Sequence, residues 1–367
     1  MNQNLKALFD ISQKKERNII GLMSGTSLDG LDVAFCQISG AGLNTKIELK
    51  HFETIPYAED LKSEIRKIFA RQTIDFELLT LLNAWLGGYH ADLINKCLEK
   101  WGIENKNVDI VASHGQTVYH SPKILHEKSA YSNATLQIGD GDHIAVKTGI
   151  ITVSDFRQKH VAAGGEGAPL AVYGDYFLFS KIGLNRIMLN IGGIANFTFL
   201  PASGKASEVF VTDTGPGNTL IDAFTRYYFP QKSYDHNAEI AKGGRVNSDL
   251  LVELKSHIFF KKSFPRTTGP ELFNINYVLE AQKKSDTENI NIKDLLATLS
   301  RFSAETIAEA IKSVANPRES FKIYLSGGGM HNPLLVSWLG ELLPKCEMGN
   351  SDELGVIGDA KICMTTN

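Results

Sequence analysis

Cysteine is scarce in this chain. Cys36, Cys97, Cys346 and Cys363 are the only four in 367 residues, they lie far apart, and no C-x-x-C pair or metal-spaced histidine cluster accompanies them. A disulfide framework and a structural zinc site are both disfavoured. Charge of one sign is also lacking. Lys and Arg number 38 against 41 Asp and Glu, a net −3, which gives no electrostatic footprint for nucleic acid or an anionic membrane. No apolar run reaches the ~20 residues a bilayer demands, and Met1 to Asn18 is too polar for a secretion signal. The expectation is a reduced, cytoplasmic protein without nucleic-acid or membrane partners. The G-x-x-x-x-G-K-[ST] phosphate loop is missing too, so any phosphate here needs another cradle. What is present is globular: 43 % hydrophobic and 22 % charged residues, at a length of about two domains with a core each.

One such cradle is legible near the N-terminus. Gly21-Leu-Met-Ser-Gly-Thr-Ser-Leu-Asp-Gly-Leu-Asp32 lies between apolar runs at Ile19-Ile20 and Val33 to Ile38, which reads as strand, tight turn, strand. A turn of Gly, Ser and Thr lets backbone N–H groups approach an anion, and Asp29 and Asp32 are oxygen ligands of the kind a phosphate-bound Mg²⁺ takes. A plain Gly/Asp β-turn is the competing reading of the segment alone.

The pattern recurs about 170 residues later. Arg186 to Leu189 runs into Asn190-Ile-Gly-Gly-Ile-Ala-Asn196 and on into Phe197-Thr-Phe199, again strand, Gly-rich turn, strand. Between the two, residues 59–104 read as helical, and strands are expected at 108–112, 134–138 and 150–153. A helix is expected from Thr219, residues 270–315 are mostly helical, and Phe321 to Leu325 is a strand. The first 18 residues read as a short amphipathic helix. The architecture therefore reads as duplicated mixed α/β units, with polar turns at strand ends, where open α/β sheets bind ligands.

Several of those turns carry chemistry. Asp213, at the end of a buried-looking strand and before Thr-Gly-Pro-Gly-Asn218, suits a fixed general base or a helix cap. Asp222, on the following helix, reads as structural. Gly192-Gly193 reads as a hairpin needing positive φ or as a second phosphate clamp. Gly327-Gly-Gly329 leaves a flat surface on which an adenine ring could lie, or a loose loop. Ser113-His-Gly-Gln-Thr117 places His114 and Gln116 at a strand end. Asp155 and Arg157 are spaced to point the same way from a strand, as an ion pair or with Arg157 clasping a carboxylate. Ala162 to Pro169 reads as a hinge or substrate-facing loop, and Lys261, Lys262 and Arg266 as a solvated basic face.

As an ordered set over residues 19 to about 361, these motifs resemble the anhydro-N-acetylmuramic acid kinases. The resemblance implies a two-domain actin-like ATPase fold (ribonuclease H-like units, as in hexokinase and heat-shock chaperones), with ATP in the interdomain cleft. It implies residues 1–150 with about 350–367 as one domain, 151–349 as the other, and a homodimer. The implied reaction opens the 1,6-anhydro bond of anhydro-N-acetylmuramic acid with water and phosphorylates O6 from ATP, in cell-wall recycling. On this basis Asp213 is the catalytic base. Gly25, Thr26, Ser27, Leu28, Asp29, Gly30, Leu31, Asp32, Gly192, Gly193, Gly327, Gly328 and Gly329 hold the nucleotide, with Asp29 and Asp32 toward Mg²⁺. His114, Gln116, Asp155, Arg157, Gly165, Glu166 and Asn196 meet the sugar.

The chain departs from the family at His160, where Asp is usual, at Glu166, where Gln is common, and in its tail. After Asp359-Ala-Lys361 the family continues with Glu-Ala and an apolar helix, whereas Ile362-Cys-Met-Thr-Thr-Asn367 stands here. The tail carries an alternative expectation: a catalytically impaired remnant, or a chaperone-like ATP-binding protein of the same fold.

Overall fold

The computed structural model describes residues 3–25, 28–168, 170–314 and 321–354. Thr26 and Ser27 of the first turn, Pro169, and the whole tail from residue 355 lie outside the described residues.

In the first sheet, β1 (Glu16–Ser24) and β2 (Gly30–Ser39) form an antiparallel hairpin, which β3 (Lys46–Pro56) continues. β4 (Ile110–Ser121) lies parallel to β1 on its other side. β4 is long and changes partner along its length: β5 (Ala134–Ile138) pairs antiparallel from Gln116 onward, and β6 (Thr152–Ser154) pairs parallel with Val111–Ser113. The second sheet repeats the scheme. β7 (Asn185–Ile191), β8 (Ile194–Leu200) and β9 (Phe210–Pro216) form an antiparallel meander, and β10 (Phe321–Ser326) lies parallel to β7. β11 (Glu347–Asn350) lies parallel to β10. Each sheet thus carries its first strand between the second and the fourth, with the fourth parallel to the first. This shared topology realises the expected duplicated α/β architecture.

The elements follow from local sequence. β1 buries Ile20 and Leu22 completely, and its apolar run joins Val33, Leu86 and Ile94 in one core. The helix Phe76–Trp101 starts where the Asp75 carboxylate accepts from the Glu77 and Leu78 amides and stops at Gly102 in the left-handed conformation. In the second unit the helix Ile292–Val314 serves two clusters. Leu295, Leu296, Leu299 and Phe302 face one, and Ala304, Ile307 and Ile311 face the other. The N-terminal helix Gln3–Gln13 forms as expected but buries none of its residues.

The chain divides into compact units after Leu178, and the second spans Phe179–Leu354. The expected boundary at 150 falls too early, because β6 hydrogen-bonds β4 and ties residues 152–154 to the first sheet. β3 and β11 are strands that the sequence reading passed over. β4 runs through Ser113–Thr117 rather than ending before it.

The packing makes a direct prediction. Phe302 is fully buried, with ring centroids 5.6 Å from Phe260 and 6.4 Å from Phe273. Phe302→Ala should cost about 3–5 kcal/mol in equilibrium denaturation, whereas truncating exposed Val252 should change stability by less than about 0.5 kcal/mol.

Candidate active site

Each unit presents polar groups at its hairpin, and each is described within its own unit. In the first, Gly25 closes β1 and its carbonyl accepts from the Leu28 amide (3.3 Å) and from Gln116 Nε2 (3.2 Å). Leu28 is buried at positive φ, Asp29 is exposed, and the Asp29 carbonyl accepts from the Tyr57 amide at 3.1 Å. Asp32, on β2 beyond Gly30 and Leu31, accepts from Thr54 Oγ1 at 2.6 Å. Two carboxylates with hard oxygen donors therefore flank this turn, a donor set that fits Mg²⁺. Among the described residues no three His, Cys, Asp or Glu side chains gather as a closed metal site, and no helix is long and apolar enough to cross a membrane.

His114, Gln116 and Arg157 come together in the same unit. Arg157 Nε donates to His114 Nε2 at 2.9 Å and Nη1 to the Gly167 carbonyl at 2.6 Å. His114 Nδ1 lies 2.8 Å from the Gly115 carbonyl. Since Nε2 accepts from a guanidinium, the proton is assigned to Nδ1. Burial, reinforced by the Arg157 charge, pushes the His114 pKa down to about 4, so the ring is neutral at physiological pH. Asp155 and Arg157 do not project from a strand. Asp155 precedes the helix Phe156–Ala162 in the left-handed conformation, and Arg157 sits in that helix's first turn. The expected ion pair gives way to the Arg157–His114 contact. The loop of Gly165 and Glu166 is stitched by Asn133 Nδ2 to the Gly165 carbonyl (3.1 Å) and by the Gly165 amide to the His160 carbonyl (2.9 Å).

In the second unit Asp213 lies within β9, directly opposite Asn196 on β8, with a register shift immediately before Asn196. Opposed residues share a face, so both half-buried side chains project together. The Asp213 carboxylate accepts from the Thr268 amide at 2.8 Å. Burial nonetheless raises its pKa to about 6, the Thr268 amide and Arg266 opposing and Glu271 adding to the rise. Arg266 is not a solvated face, which corrects the sequence reading. It is 8 % exposed and stacks 4.5 Å from the Phe259 ring centroid and 4.7 Å from that of Phe264. Its guanidinium donates to the carbonyls of Asp213, Thr214 and Phe259. The three phenylalanines of Phe259-Phe-Lys-Lys-Ser-Phe-Pro-Arg266 were the available signal, since a guanidinium stacks on aromatic faces.

The second hairpin is braced differently from expectation. Gly192 and Gly193 do not have positive φ. Their carbonyls accept from the Gly217, Asn218 and Thr219 amides at 2.8 to 3.0 Å, and a Cβ on Gly217 would stand 2.3 Å from the Gly192 oxygen. The turn is thereby fastened to the start of the helix Thr219–Tyr228. In the third glycine segment, Cβ atoms on Gly327 and Gly329 would collide with β7 at 2.6 and 2.2 Å. Gly328 has room and lines a cavity of about 490 Å³ with Asn218, Asp222, His236, Asn237 and His331. Asp222 stands at the wall of that cavity, where burial raises its pKa to about 6.

Comparisons with known proteins agree over nearly the whole length. The family model described as anhydro-N-acetylmuramic acid kinase matches residues 17–366. A protein of that name from Pseudoalteromonas atlantica is 52 % identical over 98 % of this chain and 90 % of its own. One from Caldanaerobacter subterraneus subsp. tengcongensis is 39 % identical over 96 % and 90 %. Among solved structures, the activator of the 2-hydroxyisocaproyl-CoA dehydratase from Clostridium difficile is 12 % identical, with a TM-score of 0.42 over 95 % of this chain and 92 % of that one.

The geometry at Asp213 predicts its titration. A carbon-13 NMR titration should place this carboxyl near pH 6, where ordinary aspartates are already ionised. Glu271→Gln removes a like charge and should move the midpoint downward.

Proposed function

This chain belongs to the anhydro-N-acetylmuramic acid kinase family, and from that membership we propose how its residues carry out the family's reaction. The enzyme opens the 1,6-anhydro bond of anhydro-N-acetylmuramic acid and transfers the γ-phosphoryl of ATP to O6, giving N-acetylmuramic acid 6-phosphate. Match of the family model across residues 17–366 carries this reading. The chaperone-like alternative loses its footing, since the match includes the tail on which it rested.

Asp213 is the base. Water attacks the anomeric carbon and gives its proton to the Asp213 carboxylate as the C1–O6 bond breaks. O6 forms its new bond to the γ-phosphorus, and ADP leaves. A carboxylate lifted to about 6 by burial is still ionised at neutral pH yet more basic than a solvated one, which is the compromise general-base catalysis favours. Glycoside cleavage ordinarily needs a second carboxyl as acid; here phosphoryl capture of O6 takes that place. Asn196, on the same face, orients the sugar beside Asp213. Arg157, held by His114 and Gly167, offers its remaining guanidinium donors to the lactyl carboxylate of the substrate. The neutral His114 accepts a hydrogen bond from Arg157 and so fixes the fork without adding charge. Asp155, Gly165 and Glu166 complete the sugar-facing side of this unit, whereas Gln116, expected there, is fully buried and spends its amide on Gly25, Thr117 and Ser24.

The hairpin from Gly25 to Asp32 and the Gly192–Gly193 turn hold the triphosphate, and the cavity at Gly328 takes the adenosine. Asp29 and Asp32 would hold Mg²⁺, which neutralises phosphate charge when bound. A cytoplasmic homodimer is the setting this reading assigns, and light scattering of the purified chain reads the assembly directly.

The decisive experiment incubates the chain with Mg-ATP and 1,6-anhydro-N-acetylmuramic acid and reads the sugar 6-phosphate by mass spectrometry. Sugar-independent ATP turnover with no such product would sink the reading. Asp213→Asn should lower kcat by about 10²- to 10⁴-fold while ATP still binds. The wild-type kcat/KM should fall tenfold per pH unit below about 6, because protonation disables the base.

A further inference from the structure

Beneath the first hairpin runs a buried chain of side-chain hydrogen bonds that the mechanism above does not use. Gln116 Nε2 donates to the carbonyls of Gly25 (3.2 Å) and Thr117 (3.1 Å). Ser24 Oγ donates to Gln116 Oε1 at 2.5 Å, Tyr57 OH donates to Ser24 Oγ at 2.9 Å, and His90 Nε2 lies 2.9 Å from the Tyr57 oxygen. Ser24, His90 and Gln116 are each at most 1 % exposed and Tyr57 is 3 % exposed.

The proton count along this chain runs one way. Two carbonyls demand that the Gln116 amide face them, so Oε1 must accept. Ser24 spends its only hydrogen there and can only accept from Tyr57. Tyr57 in turn spends its hydrogen on Ser24, so His90 must donate from Nε2. His90 is therefore a neutral Nε2–H ring, and its Nδ1 meets no hydrogen-bond partner among the described residues. Burial pushes the His90 pKa down to about 3 and is the largest cause raising the Tyr57 phenol, with Tyr89 and Asp32 adding and the Ser24 hydrogen bond opposing, so both rings are uncharged.

Tyr57 also holds the far side of the same turn, its amide donating to the Asp29 carbonyl at 3.1 Å. The carbonyls on both sides of the turn, Gly25 and Asp29, are thus tied to protein donors. The Gly25 carbonyl also accepts from the Leu28 amide at 3.3 Å, so the described ends of the turn are anchored to the sheet from both sides.

We propose that Tyr57 and His90 are positioning residues for the nucleotide. Through the one-way chain His90–Tyr57–Ser24–Gln116 they hold the Gly25 carbonyl inward and pre-set the hairpin for the triphosphate. This rests on the reading that the hairpin binds ATP. His90 comes from the middle of the helix Phe76–Trp101, remote in sequence from every phosphate or sugar motif, so its role depends on the register of that helix against β1 and β3.

The test compares wild type, Tyr57→Phe, His90→Gln and His90→Leu in the full chain, with thermal melting alongside kinetics. Leaving one buried group unpaired costs enough that Tyr57→Phe should raise KM for Mg-ATP about tenfold, with KM for the anhydro sugar unchanged. His90→Leu should behave like Tyr57→Phe, and His90→Gln, which restores a donor, should return toward wild type. Nitrogen-15 spectra of histidine-labelled protein should show a ring signal, absent from His90→Gln, with Nε2 protonated, and it should shift when Mg and adenylyl imidodiphosphate are added.

A Tyr57→Phe protein that melts normally and keeps the wild-type KM for ATP overturns the inference. Equal losses for ATP and sugar with a lowered melting point also overturn it, since they mark a scaffold role only. So does an Nδ1–H ring at His90. A wild type that binds no nucleotide overturns the kinase reading and this inference together, whereas one that binds, with Tyr57→Phe indistinguishable, overturns this inference alone.

Discussion

Parallel pairing of the fourth strand of each sheet against the first is the constraint on which both half-sites depend. β4 against β1, and β10 against β7, align strands whose C-terminal ends point the same way. That alignment puts Ser24 opposite Gln116 in one sheet and Asn190 opposite Ser326 in the other. The hairpin turn then neighbours the polar Ser113–Thr117 stretch within β4 in the first unit and the glycines after β10 in the second, near strand ends where open α/β sheets collect ligands. Parallel partners need a long crossover, and here the crossovers carry the core helices: Phe76–Trp101 in the first unit and Ile292–Val314 in the second.

Each unit secures its turn with buried polar groups, by different means. The first uses a neutral chain of side chains. In the second, backbone carbonyls of Gly192 and Gly193 take the first amides of a helix, and a stacked guanidinium gathers three carbonyls around Asp213. Arg266 is positive and close to Asp213, yet Asp213 still titrates high, because burial is the largest influence on it. The guanidinium bonds the Asp213 backbone rather than its carboxylate. Arg266 thereby braces the strand that carries the carboxylate without cancelling the rise in its pKa, which suits the base role proposed for it.

Much of this was open to reading from the chain. Alternation of apolar strands with Gly-rich turns announced two related α/β units, and Asp213, His114, Arg157 and the glycine segments were named from composition and order. The misses share a cause. β3 and the short β11 bury none of their residues and so offer little hydrophobic contrast. Asp155-Phe-Arg157 looked extended because a two-residue spacing suits a strand, but Asp155 turns left-handed and starts a helix. Arg266 looked solvated since two lysines precede it nearby, and only the aromatic rings folded around it reveal a buried cation.

Local chemistry by itself determined which segments turn, which residues could approach an anion, and which carboxylates stand at strand ends beside Gly-rich turns, since these follow from side-chain type and spacing. Tertiary structure alone decided protonation and partnership. The neutral ring of His114, the lifted pKa of Asp213, the inward pull on Gly25 and the enlistment of Tyr57 and His90 all arise from burial and from contacts across 30 or more residues. The reason is physical: desolvation and hydrogen-bond direction depend on what surrounds a group in space, and a linear sequence does not state its surroundings.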